Sequence, residues 1–129
     1  MDVRYLLDTN IFLEIILKQE RSNIAKEFII EHLQQIAISD FSLHSIGVIL
    51  YRKKKLELYA NFISDLASKL YLTVLPVESL ENIHTLIGET ALDFDDAYQM
   101  VVAQNFGLEI VTFDHDFRHV ATGVPIRFL

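Results

Sequence analysis

Apolar residues along this chain follow two alternating patterns, short continuous runs and longer stretches with three- and four-residue spacing. The runs VRYLL (3–7), IAIS (36–39), YLTVLPV (71–77) and LEIVTF (108–113) have the length and composition of strands buried on both faces. Such strands lose polar alternation because neither side meets water. Pro76 closes the third run, and VPIRFL (124–129) is a predicted edge strand. Helical spacing fills the intervals. IFLEIILK (11–18) follows Asp8-Thr9-Asn10, whose side chains can cap a helix start. Residues 22–34 begin at Ser22 or Asn23 and place Ile24, Phe28, Ile29 and Leu33 on one face. Further helices are predicted over 42–54, capped by Ser42, over 56–70, and over 78–91 with an acid-rich first turn. The last runs from Phe94 to Phe106 and meets Gly107, a residue suited to the left-handed stop of a helix.

Strands alternating with helices specify an α/β domain, a largely parallel sheet of four to five strands covered by helices on both sides. The 129 residues fit one domain, 1–129, with 51% hydrophobic content and no repeat or linker. There is no cysteine, which excludes a disulfide framework and a thiolate zinc site. The start, MDVRYLLDTN, is unlike a secretory signal, and no apolar stretch reaches the length that crosses a bilayer. A soluble cytoplasmic protein without a membrane partner is expected. The net charge of −7 argues against nonspecific nucleic-acid binding. One local exception is YRKKK (51–55): Arg52, Lys53, Lys54 and Lys55 either contact phosphates or form the solvated end of a helix.

The chemistry suggested by the sequence lies in its acids. Asp93, Asp95 and Asp96 crowd together where an apolar helix begins, Asp8 ends a strand, and Asp114 and Asp116 follow another. In parallel sheets ligands bind beyond the carboxyl ends of the strands, so these segments are expected to share one edge. Ionised carboxylates a few ångström apart repel by roughly 1 kcal/mol per pair in water, and more at lower dielectric. A divalent cation reverses that sign. Mg²⁺ and Mn²⁺ prefer oxygen ligands and support phosphodiester hydrolysis. Each segment also has a plainer reading, as an N-cap, a capped helix start and a solvent-facing turn. Asp95 is expected to face solvent, because the phase that turns Asp96 inward turns its neighbour away. His115 and His119 are spaced as half of a zinc site, although TFDHDF reads as a turn. No nucleophile elbow, glycine-rich phosphate loop or Walker lysine is present.

YLLDTNIFL (5–13) and DFDDAYQMVVAQNFGLEIVTFDHDF (93–117), together with the length, resemble the PIN domain, the metal-dependent nuclease fold of VapC-like toxins in type II toxin–antitoxin modules. The resemblance covers nearly the whole chain and implies a three-layer α/β/α sandwich. By position it assigns Asp8, Asp96 and Asp114 as catalytic metal ligands for Mg²⁺ or Mn²⁺, with Asp93 and Asp116 as auxiliaries. Asn10 and Thr112 would support the first and closing turns. It further implies an RNA substrate, an antitoxin partner and a homodimer. One position departs from the family pattern: Ser45 stands where a glutamate is usual, with Asp40 one turn earlier as a substitute oxygen donor.

These readings lead to an endoribonuclease, probed by Arg52–Lys55 contacts to the RNA backbone. The alternative is a catalytically weakened or inactive PIN-like RNA-binding or regulatory module, motivated by Ser45. A receiver-like phosphoacceptor domain would need an acid after a middle strand and a lysine near the end of a late one; TVLPV and VPIRFL supply neither.

Overall fold

The structure, a computed structural model, describes residues 2–119 and 123–129, without the side chains of residues 118 and 119. The side chain of His119, one half of the zinc alternative, therefore lies outside the described residues. Five short strands, β1 (Tyr5–Leu7), β2 (Ile36–Ser39), β3 (Tyr71–Thr73), β4 (Glu109–Thr112) and β5 (Ile126–Phe128), form one sheet in the order β3-β2-β1-β4-β5. Every neighbouring pair is parallel. Six α-helices pack on it: α1 (Thr9–Ile16), α2 (Ser22–His32), α3 (Asp40–Arg52), α4 (Leu56–Asp65), α5 (Glu81–Thr90) and α6 (Phe94–Phe106).

Successive strand residues point to opposite faces, and the two cores follow that alternation. Leu6, Ala37 and Ile110 face α5 and α6, where Ile83, Leu86, Met100 and Val101 close the first core. Tyr5, Leu7, Ile36, Ile38 and Val111 face the other way, against Ile11, Phe12, Phe28, Ile46, Leu50 and Phe62 of α1 to α4. The result is the expected three-layer sandwich. α6 is buried without interruption from Asp96 to Ala103, so it lies against the sheet as an inner helix. Gly107 (φ 65°) stops it, its N–H donating to the Ala103 carbonyl. No helix among the described residues is long and apolar enough to cross a membrane.

Several boundaries differ from the sequence reading. α3 starts at Asp40 rather than 42, and its cap is Ser39, whose Oγ accepts from the Ser42 N–H at 3.0 Å. Ser42 is thereby drawn inside the helix and fully buried. The third strand shrinks from 71–77 to three residues: it is an edge strand with one neighbour, and Pro76 brings no N–H to extend the ladder. α4 ends at Asp65, followed by a 3₁₀ turn over Ala67–Lys69. α2 has no side-chain cap; the amide of Arg21 before it is held by Glu14 at 2.8 Å.

The strand order reverses direction between β1 and β4, the two strands from which the chain winds outward on either side. A crevice opens at such a point beyond the carboxyl ends of the strands. Asp8 follows β1 and Asp114 follows β4 two residues after its end.

Candidate metal centre

Asp8 caps α1: its Oδ1 accepts from the Thr9 N–H at 2.8 Å, while its own N–H donates to the Val111 carbonyl of β4. Its second oxygen, Oδ2, accepts from the Thr112 hydroxyl at 2.8 Å and from Asn10 Nδ2 at 3.4 Å. Asn10 crosses to the other strand end, its Oδ1 accepting from the Phe113 N–H at 3.3 Å. Thr112 Oγ1 accepts in turn from the Asp114 N–H at 2.9 Å. Asp114 Oδ1 then accepts from the Asp116 N–H at 2.9 Å, which folds the turn back on itself. Thr112 and Asn10 therefore bridge the two strand ends, beyond the single turn each was expected to hold.

Acids from two separate segments, the start of α6 and the turn after β4, converge. Carboxylate oxygens of Asp96, Asp114 and Asp116 lie within 4.8 Å of one another, and so do those of Asp93, Asp95 and Asp96. Asp96 is shared by both triads and is buried, whereas Asp93, Asp95 and Asp116 are exposed and Asp114 is half-buried. Asp8 belongs to neither triad, although its charge acts on Asp96. Burial, joined by the negative charges of Asp95, Asp8, Asp114 and Asp116, pushes the Asp96 carboxyl up to about 7. Burial also raises Asp8, reinforced by Asp114 and Asp95 and opposed by the hydrogen bonds from Thr112 and Thr9. Asp95 is exposed, as its phase predicts, yet it is the largest charge acting on Asp96.

No arginine or lysine of the described residues is ion-paired with these acids; the ion pairs present involve Glu14, Glu31 and Glu109. A crowded set of hard oxygen donors, with one carboxyl driven to about 7 by burial and by its acidic neighbours, fits a divalent cation.

Other candidates fall elsewhere. Ser45 lies on α3 along a groove with Asp40, His44 and Tyr98, and Asp40 does not join the acid cluster. Its Oδ1 accepts from the Tyr98 hydroxyl at 2.6 Å and from the Phe41 N–H at 2.9 Å. Arg52 ends α3, Lys53 and Lys54 make the turn, and Lys55 precedes α4; all four are exposed. At 1.5 Å per residue the run sits about 18 Å along α3 from Asp40.

The sequence reading missed a largely buried polar chain. Gln99 Nε2 donates to Ser42 Oγ at 2.6 Å, and Ser42 Oγ lies 2.8 Å from Thr9 Oγ1, linking α6, α3 and α1. The one available signal is a lone amide inside the apolar run AYQMVVA.

The family model of the PIN domain matches residues 5–123. No curated protein matches the chain. Among solved structures it is similar to a toxin–antitoxin complex from Klebsiella pneumoniae, at 25% identity and a TM-score of 0.74 over 93% of this chain and 94% of that one. It is also similar to DNA-bound VapBC from Salmonella typhimurium, at 19% identity and a TM-score of 0.81 over 98% of each chain. A third is VapC20 of Mycobacterium tuberculosis, a sarcin–ricin loop cleaving toxin, at 17% identity and a TM-score of 0.75 over 88% of this chain and 92% of that one. The last two likenesses concern the fold alone.

Proposed function

The chain belongs to the PIN domain family, and from that premise we propose that it is a Mg²⁺- or Mn²⁺-dependent endoribonuclease, the toxin of a type II toxin–antitoxin pair. The observation that carries this reading is the convergence of acids from the turn after β4 and the start of α6, with the charge of Asp8 acting on Asp96, which is raised to about 7. Asp8, Asp96 and Asp114 hold the ion, and Asp93 and Asp116 are auxiliary oxygen donors. When bound, such an ion activates water and offsets charge on the leaving oxygen of a phosphodiester.

The chain's own residues prepare that site. The Thr112 hydroxyl fixes Asp8 Oδ2 and, through the Asp114 N–H, the position of the next carboxylate. Asp96 carries a proton in a substantial fraction of molecules near neutral pH, and the carboxyl releases it as positive charge enters. Hydrogen bonds among Thr9, Ser42 and Gln99 tie α1, α3 and α6 together.

The toxin–antitoxin complex from Klebsiella pneumoniae supports an antitoxin partner. A homodimer, a cytoplasmic location, a single functional unit over 1–129 and phosphate contacts from Arg52 to Lys55 complete the proposal. A second reading, an RNA-binding module with weakened catalysis, is favoured by Ser45, because neither it nor Asp40 adds an oxygen to the acid cluster.

The test is incubation of purified protein with single-stranded RNA and Mn²⁺, beside Asp96→Asn. Cleavage by the unaltered chain and loss in the variant support the enzyme. Equal cleavage in both samples, or cleavage in neither, counts against it.

A further inference from the structure

Arg21 is fixed at the carboxyl rim of the sheet by two residues that adjoin the acid site, Phe113 and Glu14. At the far end of α2 the His32 ring meets Tyr5, the first residue of β1, at 4.9 Å between centroids. At the near end Arg21 meets Phe113, the residue after β4. The helix therefore runs against the strands, and its start lies at the same ends of β1 and β4 as Asp8 and Asp114. The Arg21 guanidinium sits 4.0 Å from the centre of the Phe113 ring, with Nε 3.8 Å from Glu14 Oε1. Phe113 stands in the chain between Thr112 and Asp114, and its N–H donates to Asn10. Glu14 follows Asn10 by one turn of α1 and is buried. The loop between the helices is folded to suit. Lys18 turns left-handed (φ 52°) without being a glycine, the Gln19 N–H donates to the Glu14 carbonyl at 2.9 Å, and the Arg21 N–H donates to Glu14 Oε1 at 2.8 Å.

We propose that Arg21 anchors the substrate, its guanidinium binding a backbone phosphate that adjoins the bond cleaved at the acid cluster. The inference rests on the nuclease reading and adds to it a cation that the sequence alone did not single out. Glu14 does not use the guanidinium up. Its Oε1 is taken by the Arg21 N–H, and 3.8 Å from Nε is too long for a hydrogen bond. The terminal nitrogens of Arg21 make no hydrogen bond or ion pair among the described residues. With one face on Phe113 and the side chain 47% exposed, the group keeps a fork of N–H donors suited to two phosphate oxygens. The stack also fixes the fork before any ligand arrives, which lowers the cost of ordering it. Charge leads to the same residue. The aspartates of this rim repel a polyanion, and a divalent ion offsets only part of their charge. Arg52 to Lys55 stand at the opposite end of α3 from Asp40, whereas Arg21 touches the turn that carries Asp114. A purely structural ion pair is the plainer role, but a pair this long and this exposed contributes little to folding.

The experiment follows a fluorescently labelled RNA by anisotropy as the full chain is added, in EDTA and in Ca²⁺, over a series of KCl concentrations. Thermal melts and Mn²⁺ cleavage of each variant run alongside. In Ca²⁺, Arg21→Ala weakens binding about tenfold and lowers the slope of log affinity against log salt by about 0.7, as for one phosphate contact on a single strand. Arg21→Lys keeps the slope and loses part of the affinity. Phe113→Leu removes the ring, keeps the charge and has the same effect. An unchanged slope in Arg21→Ala overturns the proposal, and a lower melting temperature with that unchanged slope assigns the residue to folding alone. A slope lowered equally by Arg21→Lys and Arg21→Ala overturns it too, since the charge is what separates the two variants. So does an Arg21 dependence seen only with an oligoglutamate peptide, which assigns the guanidinium to protein carboxylates. An Arg21-dependent slope without Mn²⁺ cleavage by the unaltered chain upholds the phosphate contact and removes the nuclease; cleavage with a slope indifferent to Arg21 does the reverse.

Discussion

Asp96→Asn is expected to make the metal-free protein more stable while removing a ligand of the proposed metal site. In the folded chain Asp96 holds its proton up to about pH 7, whereas in the unfolded chain it releases it near the ordinary value of 3.8. Between those values the unfolded state binds fewer protons, so stability falls as pH rises through that window and the full cost is present above it. The displacement corresponds to about 4 kcal/mol at roughly 1.4 kcal/mol per unit. Part of this is returned by the helix. Asp96 is the third residue of α6, where an ionised carboxylate gains about 0.3–1 kcal/mol from the N-terminal dipole that asparagine does not recover. The net expectation at pH 8 in EDTA is a gain of about 3–4 kcal/mol, or about 12–16 °C in Tm for a chain of this length. At pH 5 the gain shrinks to less than about half, because only the lower part of the window has been crossed. Paired thermal melts at the two pH values give the answer. A variant less stable than the unaltered chain at pH 8, or one whose advantage is the same at both values, would refute the electrostatic account of the cluster.

Three further outcomes test the supports around the site. Thr112→Val removes a fully buried hydroxyl that donates to Asp8 and accepts from the Asp114 N–H; denaturant melts should show a loss of about 2–3 kcal/mol, and calorimetry a Mn²⁺ affinity lowered about 10–100-fold. Gly47→Ala places a Cβ 3.0 Å from the Tyr59 ring, so the ring must shift and weaken its 2.7 Å bond to the Leu43 carbonyl; a loss of about 1–3 kcal/mol is expected in the same melts, and no change would show that the α3–α4 contact is loose. Ala91→Gly relieves a left-handed residue (φ 59°) at the end of α5 and should raise stability by about 0.5–1 kcal/mol, since Ala91 is exposed and only its backbone is strained.

The stability cost of the acid cluster also explains its surroundings. Asp8 accepts hydrogen bonds from Thr9, Thr112 and Asn10, and those from Thr112 and Thr9 partly offset its burial. Asp96 has to be tolerated through the packing of a helix buried from residue 96 to 103. A local fault in charge balance is thus carried by strong packing nearby, as expected of a site built for an ion.

Local pattern alone determined the elements. Buried runs such as YLL and IAIS fall to the sheet because their residues tolerate no polar neighbour on either face, and Gly107 ends α6 because its backbone reaches φ 65° at little cost. The placement of Asp8 after a strand and of Asp96 in a helix's first turn was equally readable. Adjacency belonged to the tertiary structure. Residues 8 and 112 are bonded across 104 positions only because β1 pairs with β4, and no local pattern specifies which strands pair. The same holds for Ser39 replacing Ser42 as cap, for Asp40 turning to Tyr98 instead of the acids, and for Phe94 resting exposed beside Phe41. Periodicity reports how far each residue is from water. A carboxyl's proton affinity, and a groove's shape, depend on what distant segments bring beside it, which the sheet order alone decides.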